Sequence, residues 1–328
     1  MPRNRVAGIC VMVFRMNGNS LRRTTLIIAY SRPEGVLRLF ESCVTAGIEK
    51  IYISLDGPRD LDSLRHQEEI LKIVAKYSAI IEIEVNLLRE NYGVAVGVLR
   101  AVDWYFSKEP IGIVLEDDLI VSPFFFEYVF NALHHTKDFK DILMVAGTQL
   151  YPGLSQYSLA INYPMIWGWG AWAEDWFVIR KCLLRKKTTS LSQLWDGRTT
   201  FWKVGANRAL NGLVDTWDTP IAYEFYRNGF KCIIPPFNLV SNIGTDRFAA
   251  HTSIEKFPMH FPITENSDFG FQIAPPQESS DYEKILENSL FHISKRHYFL
   301  QIWALLTDWF YCPPAKRRKN LKSRLKPH

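Results

Sequence analysis

The chain has 328 residues, of which 47% are hydrophobic and 14% aromatic, enough for one large core or for a main domain with a smaller lobe. The net charge of +5 comes from the C-terminal end, because seven of the 39 basic residues lie in 316–328, where there is no acidic residue. The rest of the chain is close to neutral, so we expect no nucleic-acid partner.

Strand-like and helix-like segments alternate over the first half of the chain. This alternation predicts right-handed βαβ units, and hence an α/β fold with a mostly parallel central sheet flanked by helices. Neither a P-loop nor a Gly-x-Gly-x-x-Gly follows the first strand, which argues against an NTPase and a classical dinucleotide fold. The predicted strands are 25–30, 51–55, 80–85, 111–115 and 142–146, and the predicted helices are 33–46, 61–77, 91–105 and 123–135.

Polar clusters follow the predicted strands at the points where the strands end. They are Ser31-Arg32, Asp56, 89–91 and 116–118. The carboxyl ends of parallel strands lie at one edge of the sheet, where open α/β folds bind their ligands. The sequence therefore predicts a binding site built from these four clusters.

Three consecutive acids, Glu116, Asp117 and Asp118, follow the apolar strand 111–115. They would repel one another at neutral pH unless a positive charge lies among them. Mg²⁺ and Mn²⁺ take oxygen ligands and share them with water and substrate phosphates. The pattern thus predicts a divalent cation site, and the alternative is a solvated acidic turn after a strand.

The regular alternation of strand-like and helix-like segments ends after residue 150. Residues 163–172 read Tyr-Pro-Met-Ile-Trp-Gly-Trp-Gly-Ala-Trp, which predicts either a flat aromatic platform for sugar rings or a core corner packed with indoles. Helices are predicted over 176–184 and 199–213. Asp215 and Asp218 lie three residues apart at the start of another helix, as N-capping groups or as catalytic carboxylates.

The C-terminal part is predicted to hold a strand at 231–235, a loop at 238–252, an irregular stretch at 254–280 and a largely helical stretch at 281–311. The apolar 298–311 is too short to span a membrane and precedes the basic tail. Residues 298–328 are therefore either a peripheral contact with an anionic membrane surface or a core helix followed by a solvated tail.

The cysteines and the N-terminus both favour the cytoplasm, with the inner face of the cell membrane as the place of any peripheral contact. Five cysteines with no Cys-x-x-Cys pair indicate reduced thiols rather than a disulfide framework. The apolar stretch 6–14 is short, contains Gly8 and lacks a small-residue cleavage site, so we interpret it as a non-signal.

Several motifs occur together in one order. They are Ser31-Arg32-Pro33, 54–59 (Ser-Leu-Asp-Gly-Pro-Arg), 89–93 (Arg-Glu-Asn-Tyr-Gly), 115–118 (Leu-Glu-Asp-Asp) with 122–125, 167–170 (Trp-Gly-Trp-Gly), Trp217-Asp218, and 242–244 through 251–252. Over 24–252 this set resembles the GT-A-fold nucleotide-sugar glycosyltransferases, most of all the N-acetylglucosaminyltransferase I type and its bacterial relatives. The Glu-Asp-Asp variant replaces Asp-x-Asp in that family.

The resemblance implies a role for each matching residue. Asp118 would be the direct metal ligand, with Asp117 near the ribose or metal and Glu116 near the donor sugar. Asp56 would accept from uracil N3–H, and Arg32 would contact the diphosphate. Asp218 would be the general base, with Asp215 as the competing carboxylate. The remaining implied residues are Asn91, Gly93 and Arg100 for donor binding, His251 for the metal, and Trp167, Trp169 and Trp217 for an acceptor platform.

The expected activity is a metal-dependent (Mn²⁺ or Mg²⁺) inverting transfer of a sugar, of GlcNAc type, from a UDP-sugar to a hydroxyl of a glycan or lipid-linked acceptor. Two alternatives stay open, a sugar-1-phosphate nucleotidyltransferase and a non-catalytic glycan-binding protein that kept the fold. The expected division is an N-terminal extension at 1–23, a GT-A domain at 24–252 with halves 24–150 and 151–252, a C-terminal segment with a helix at 253–315, and a basic tail at 316–328.

Overall fold

A computed structural model describes residues 21–184, 197–244, 263, 271–291 and 293. The strands are β1 (Thr24–Ala29), β2 (Lys50–Leu55), β3 (Glu82–Leu87), β4 (Ile111–Glu116), β5 (Leu119–Val121), β6 (Ile142–Ala146), β7 (Leu159–Ile161), β8 (Trp169–Trp172), β9 (Lys231–Ile234) and β10 (Val240–Asn242). The helices are α1 (Pro33–Thr45), α2 (Leu61–Tyr77), α3 (Val94–Phe106), α4 (Phe125–Thr136), α5 (Ala173–Leu184), α6 (Gly197–Leu210), α7 (Asp218–Asn228) and α8 (Pro276–Ser289).

Eight of these strands form the central sheet, in the order β3-β2-β1-β4-β8-β6-β9-β7. The pairs β3–β2, β2–β1, β1–β4 and β6–β9 are parallel, whereas β8 and β7 run against their neighbours. Six strands therefore point the same way, and their carboxyl ends share one edge. The predicted fold class, a mostly parallel, Rossmann-like sheet flanked by helices, is confirmed.

Apolar side chains cover both faces of the sheet, as expected for parallel strands that are buried on both sides. One cluster packs α1, α2 and α4 against the sheet through residues such as Leu39, Ile70 and Phe125. The other packs α3 and α5–α8 against the opposite face, with Val102, Trp176 and others in its interior. The sheet is thus the middle of three layers, and its polar strand ends are left at the edge.

β8 corrects one reading of the tryptophan–glycine segment. Trp169–Trp172 is a fully buried strand between β4 and β6 rather than an exposed platform. Gly170 permits this close packing, because a Cβ there would lie 2.7 Å from Val129 Cγ1 and 2.9 Å from the Gly112 carbonyl oxygen. The second half of the chain therefore completes the middle of the sheet.

The segment beyond 252 contributes to the same core where the structure describes it. α8 begins at Pro276, inside the stretch predicted to be irregular, and it contributes the buried Tyr282 and Leu286. In addition, Ile273 forms a parallel bridge with Ser158. The strand β10 lies in the predicted loop 238–252 and pairs with β5 in a separate two-stranded sheet.

Within the described ranges, the longest apolar helices fall short of the length and hydropathy that crossing a bilayer requires. The predicted membrane contact at 298–328 lies outside these ranges, as does the candidate metal ligand His251.

Candidate active site

A cavity of about 1120 Å³ opens at the carboxyl edge of the parallel strands. Its lining includes the ends of β1, β2 and β4, the start of α3, and the loop that leads into α7. The cavity brings together most of the predicted site residues, namely Arg32, Asp56, Asn91, Gly93, Glu116, Asp117, Asp118, Trp167, Trp217 and Asp218.

Asp117 is tied to the segment that follows β1. Its Oδ1 accepts a hydrogen bond from Arg32 Nη1 at 2.9 Å, and its Oδ2 accepts one from the Tyr30 N–H at 2.8 Å. Burial raises the pKa of Asp117, while Arg32 and the backbone N–H groups of Tyr30 and Ser31 oppose that rise. Asp117 thus fixes the Arg32 guanidinium, which also lies 3.9 Å from Asp118 Oδ2.

Glu116 lies where negative charge is concentrated. Its pKa is raised well above the usual value by burial first, and then by the neighbouring carboxylates of Asp118, Asp117 and Asp218. The Arg32 guanidinium opposes the rise. Among the described residues that line the cavity there are seven Asp or Glu side chains, against three arginines, Arg32, Arg59 and Arg208. The described lining therefore carries more acidic than basic groups.

These residues fit a divalent cation that is shared with substrate phosphates. In the described part of the chain, no group of three or more His, Cys, Asp or Glu side chains forms a metal-binding cluster. Mg²⁺-type sites, however, are commonly held by one or two carboxylates while phosphates and waters complete the shell. Asp118 is suited to this, because its side chain is partly exposed at the cavity and the described lining holds more acidic than basic side chains.

The glycine opposite Asp118 also keeps space open for that carboxylate. A Cβ at Gly244 would lie 2.3 Å from Asp118 Oδ2. Gly244 itself is held by a hydrogen bond from its N–H to Asn242 Oδ1 at 2.7 Å. Any larger residue at 244 would therefore displace the candidate metal ligand.

Asp56 is held by the turn that opens α3. Its Oδ1 accepts from the backbone N–H groups of Gly57 and Tyr92, and its Oδ2 accepts from that of Gly93 at 2.9 Å. Burial raises the pKa of Asp56, and these three hydrogen bonds work against that rise. A carboxylate has about four acceptor positions, so the predicted hydrogen bond to a base uses the capacity that remains.

Asn91 and Arg100 have different surroundings. Asn91 lines the cavity, accepts from Arg59 Nε at 2.9 Å and donates to the Gly57 carbonyl oxygen at 2.7 Å. Arg100 stacks on the Tyr92 ring at 4.4 Å from its centroid and is not among the described residues that line the cavity. The donor-binding role predicted for Arg100 therefore has no support from its position, whereas Asn91 keeps its prediction.

Asp218 is the first residue of α7 and lines the cavity. Its Oδ1 accepts hydrogen bonds from the Thr219 N–H at 2.6 Å and from the Thr216 hydroxyl. The carboxylate is thus oriented by its own turn, and it lies near enough to Glu116 to raise the pKa of that residue. Asp218 is placed where a group could receive a proton inside the cavity.

The three predicted platform tryptophans divide into two groups. Trp167 and Trp217 line the cavity, although Trp217 is only 3% exposed. Trp169 is fully buried, packs 5.7 Å from the Trp176 ring and 6.2 Å from the Trp217 ring, and does not belong to the described lining. Trp169 therefore supports Trp217 from the core instead of offering a face to a sugar.

Asp215 does not cap α7, the helix that follows it in the sequence. Its Oδ1 accepts from the Ala95 N–H at 3.1 Å, at the start of α3, whereas α7 has no side-chain cap.

Sequence reasoning missed several residues of the cavity wall. Tyr30 and His66 also line the cavity. The Tyr30 ring lies beneath the Arg59 guanidinium, 5.6 Å from its central carbon. At another part of the lining, Tyr163, Phe201, Trp202 and Phe291 form mutual ring contacts. These rings come from segments that are far apart in the chain, so their contacts could not be predicted from local sequence. The only local signal was the density of aromatic residues.

No protein-family model matches the chain, and no curated protein matches it. Solved structures with a similar fold include a mannosyltransferase from Pyrobaculum calidifontis in complex with GDP-mannose and Mn²⁺, at 11% identity and a TM-score of 0.43, covering 70% of this chain and 59% of its own. Another is 4-diphosphocytidyl-2C-methyl-D-erythritol synthase from Anaerococcus prevotii, at 10% identity and a TM-score of 0.37, covering 65% and 88%.

A third is glucosyl-3-phosphoglycerate synthase from Mycobacterium tuberculosis, at 13% identity and a TM-score of 0.29, covering 47% of this chain and 57% of its own. The chain thus spans less than two thirds of the mannosyltransferase and of the glucosyl-3-phosphoglycerate synthase. At these identities and TM-scores, the likeness extends to the fold alone.

Proposed function

We propose that the protein is a metal-dependent inverting glycosyltransferase of the GT-A type that uses a UDP-sugar, of GlcNAc type, and a hydroxyl of a glycan or lipid-linked acceptor. The observation that carries the proposal is the convergence of Asp118, Arg32 and Asp218 on one cavity at the carboxyl edge of the sheet. A diphosphate leaving group needs positive charge, and an acceptor hydroxyl needs a base.

The donor would lie along the ends of β1, β2 and β4. Arg32 is held by Asp117 close to Asp118, so its charge is already in place before any diphosphate binds. Asp118 would hold the cation, which supplies further positive charge to the leaving diphosphate. Asp56 and Asn91 line the cavity near the start of α3, where they would bind the base and ribose of the nucleotide.

The acceptor would enter beside Trp217 and Asp218. Because the Thr216 hydroxyl and the Thr219 N–H orient the Asp218 carboxylate, it can take the proton of an acceptor hydroxyl without first reorganising. A single displacement with this base inverts the anomeric centre. Inversion therefore follows if Asp218 acts alone as the base and no covalent sugar–enzyme intermediate forms.

The two alternative functions differ from this proposal, one in the sequence that it would require after β1 and the other in its activity. A sugar-1-phosphate nucleotidyltransferase would normally carry a glycine-rich, basic loop after the first strand, but here Ser31-Arg32 leads directly into α1 at Pro33. A non-catalytic glycan-binding protein would bind sugars without consuming a donor.

The test is a panel of nucleotide sugars with and without Mn²⁺, read as donor hydrolysis and as transfer to saccharide acceptors. We expect Mn²⁺-dependent consumption of one UDP-sugar by the wild type, and none by Asp118→Asn, which should remain folded. Wild-type turnover by Asp118→Asn in the presence of EDTA would refute the proposal. Formation of a nucleotide sugar from a sugar-1-phosphate and UTP would replace it with the nucleotidyltransferase.

A further inference from the structure

Asp215 reaches from the loop before α7 to the start of α3. Its Oδ1 accepts the hydrogen bond from the Ala95 N–H, 120 residues away in sequence, and its Oδ2 faces Gly93, where a Cβ would lie 2.4 Å from it. The N-cap residue of α3 is Gly93, which has no side chain to cap the helix. Asp215 thus satisfies one of the first N–H groups of α3 and lies at the positive end of its dipole.

Asp56 holds the same turn through two other backbone N–H groups. The N–H groups of Tyr92 and Gly93 bond to Asp56 at the end of β2, and the N–H of Ala95 bonds to Asp215. Two carboxylates therefore fasten the start of α3, one at the end of β2 and one in the loop before α7. This arrangement joins the wall proposed for the donor to the loop proposed for the acceptor.

The loop that Asp215 fastens is the one that carries the candidate base. Residues 216–219 line the cavity, whereas Asp215 is not part of the described lining. Three residues of extended chain span at most about 11 Å, so fixing Asp215 on α3 restricts where the Asp218 carboxylate can lie. The position of Asp215 outside the cavity argues against its acting on the acceptor itself.

We propose that Asp215 is a positioning residue. By fastening the 215–218 loop to the start of α3, it fixes the position of the Asp218 carboxylate relative to the proposed donor site. This inference rests on the proposed function for the role of Asp218. Asp215 itself takes no proton from substrate. A misplacement of about 1 Å in a reacting group can cost about 10²-fold in rate, which sets the size of effect expected when this fastening is removed.

The test compares Asp215→Asn with Asp215→Ala in the full chain. Asparagine keeps an oxygen acceptor for the Ala95 N–H, so we expect its kcat to stay within about threefold of wild type. Alanine removes the acceptor, so we expect kcat to fall about 10²-fold while KM for the UDP-sugar changes much less. If both variants lose turnover equally, the hydrogen-bond acceptor at residue 215 does not account for the loss and the proposal is wrong, and it is equally wrong if both keep wild-type kcat.

A second measurement needs no activity. Hydrogen exchange of the apo protein, followed by mass spectrometry, should show faster exchange in both 93–98 and 216–222 for Asp215→Ala, and wild-type protection for Asp215→Asn. Faster exchange in only one of the two segments, or in neither, would overturn the fastening. Because this readout uses no donor, it also separates a failure of the fastening from a failure of the proposed transferase activity.

Discussion

Gly35 in α1 packs directly against the backbone carbonyl of Asp117. A Cβ at position 35 would lie 1.8 Å from that oxygen and 3.0 Å from its carbon. Helix α1 can therefore approach the acidic motif only because this position lacks a side chain. The packing of α1 thus helps to fix the backbone position of Asp117 and Asp118 at the sheet edge.

Replacing this glycine tests that contact. Gly35→Ala should lower the free energy of unfolding by about 1–3 kcal/mol, because overpacking against backbone outweighs the helix propensity gained, roughly 1 kcal/mol. It should also weaken Mn²⁺ binding through displacement of Asp118. Glu34→Ala, an exposed change in the same turn, is the matched control. An unchanged melting curve and unchanged Mn²⁺ affinity for Gly35→Ala would contradict the packing argument.

The base assignment predicts a separation of activity from stability. Asp218→Asn should lose about 10²–10⁴ in kcat, because a general base typically contributes that factor. Its melting temperature and UDP affinity should stay near those of wild type. NMR of the product should show inverted anomeric configuration. Retained configuration, or an active Asp218→Asn, would remove Asp218 from the role.

Base recognition through Asp56 predicts that UDP binds more tightly than GDP in calorimetry. In Asp56→Asn an amide NH₂ must face backbone N–H donors, so we expect a loss of about 1–3 kcal/mol in stability and weaker UDP binding. Asp62→Asn is a suitable control, because its carboxylate lies at the cavity wall but its side chain is 82% exposed. Equal affinities for UDP and GDP in the wild type would count against this role.

Asp175 predicts a pH-dependent stability. Burial first, and then the charge of Glu174, raises its pKa from 3.8 to about 6. Since the unfolded state releases this proton first, the folded state should lose stability as pH rises from about 4 to 6 and then level off. The cost of the charged form is absent below pH 4. With allowance for solvent screening it should be on the order of 1–2 kcal/mol above pH 6.

Asp175→Asn should therefore be more stable than wild type at pH 8 and equal to it near pH 3.5, as measured by denaturant unfolding across pH. The exposed Asp138 supplies a comparison through Asp138→Asn, which should follow the wild-type profile. A gain for Asp175→Asn that is the same at all pH values would point to a cause other than this carboxyl.

Elements with strong local patterns were predictable from the sequence. α2 has the bounds Leu61–Tyr77 that its periodicity predicts, and Asp60 and Ser63 form its capping box. The strands β5, β7 and β10, of three residues each, and the four-residue β8 were missed. Segments this short show no period, and their pairing depends on partners far along the chain.

The candidate site likewise contains features that local sequence predicts and features that it does not. The acids after β4 could be placed at the sheet edge because strand direction alone determines which ends meet. The contact of Asp56 with Gly93 and that of Asp215 with Ala95 could not, because separations of 37 and 120 residues leave no local signal. Nor could the burial of Trp169 be predicted, since a tryptophan next to glycine fits both an exposed platform and a packed core.

The place of β8 in the sheet has a consequence for how the chain can be divided. β6 lies in the predicted first half, 24–150, yet both of its strand partners, β8 and β9, lie after residue 150. A fragment ending near 150 would leave β6 unpaired and would expose the edge of β4 along its whole length, which invites pairing with other chains and aggregation. During synthesis, the emerging polypeptide therefore carries an open sheet edge until residue 172 has left the ribosome and β8 can insert.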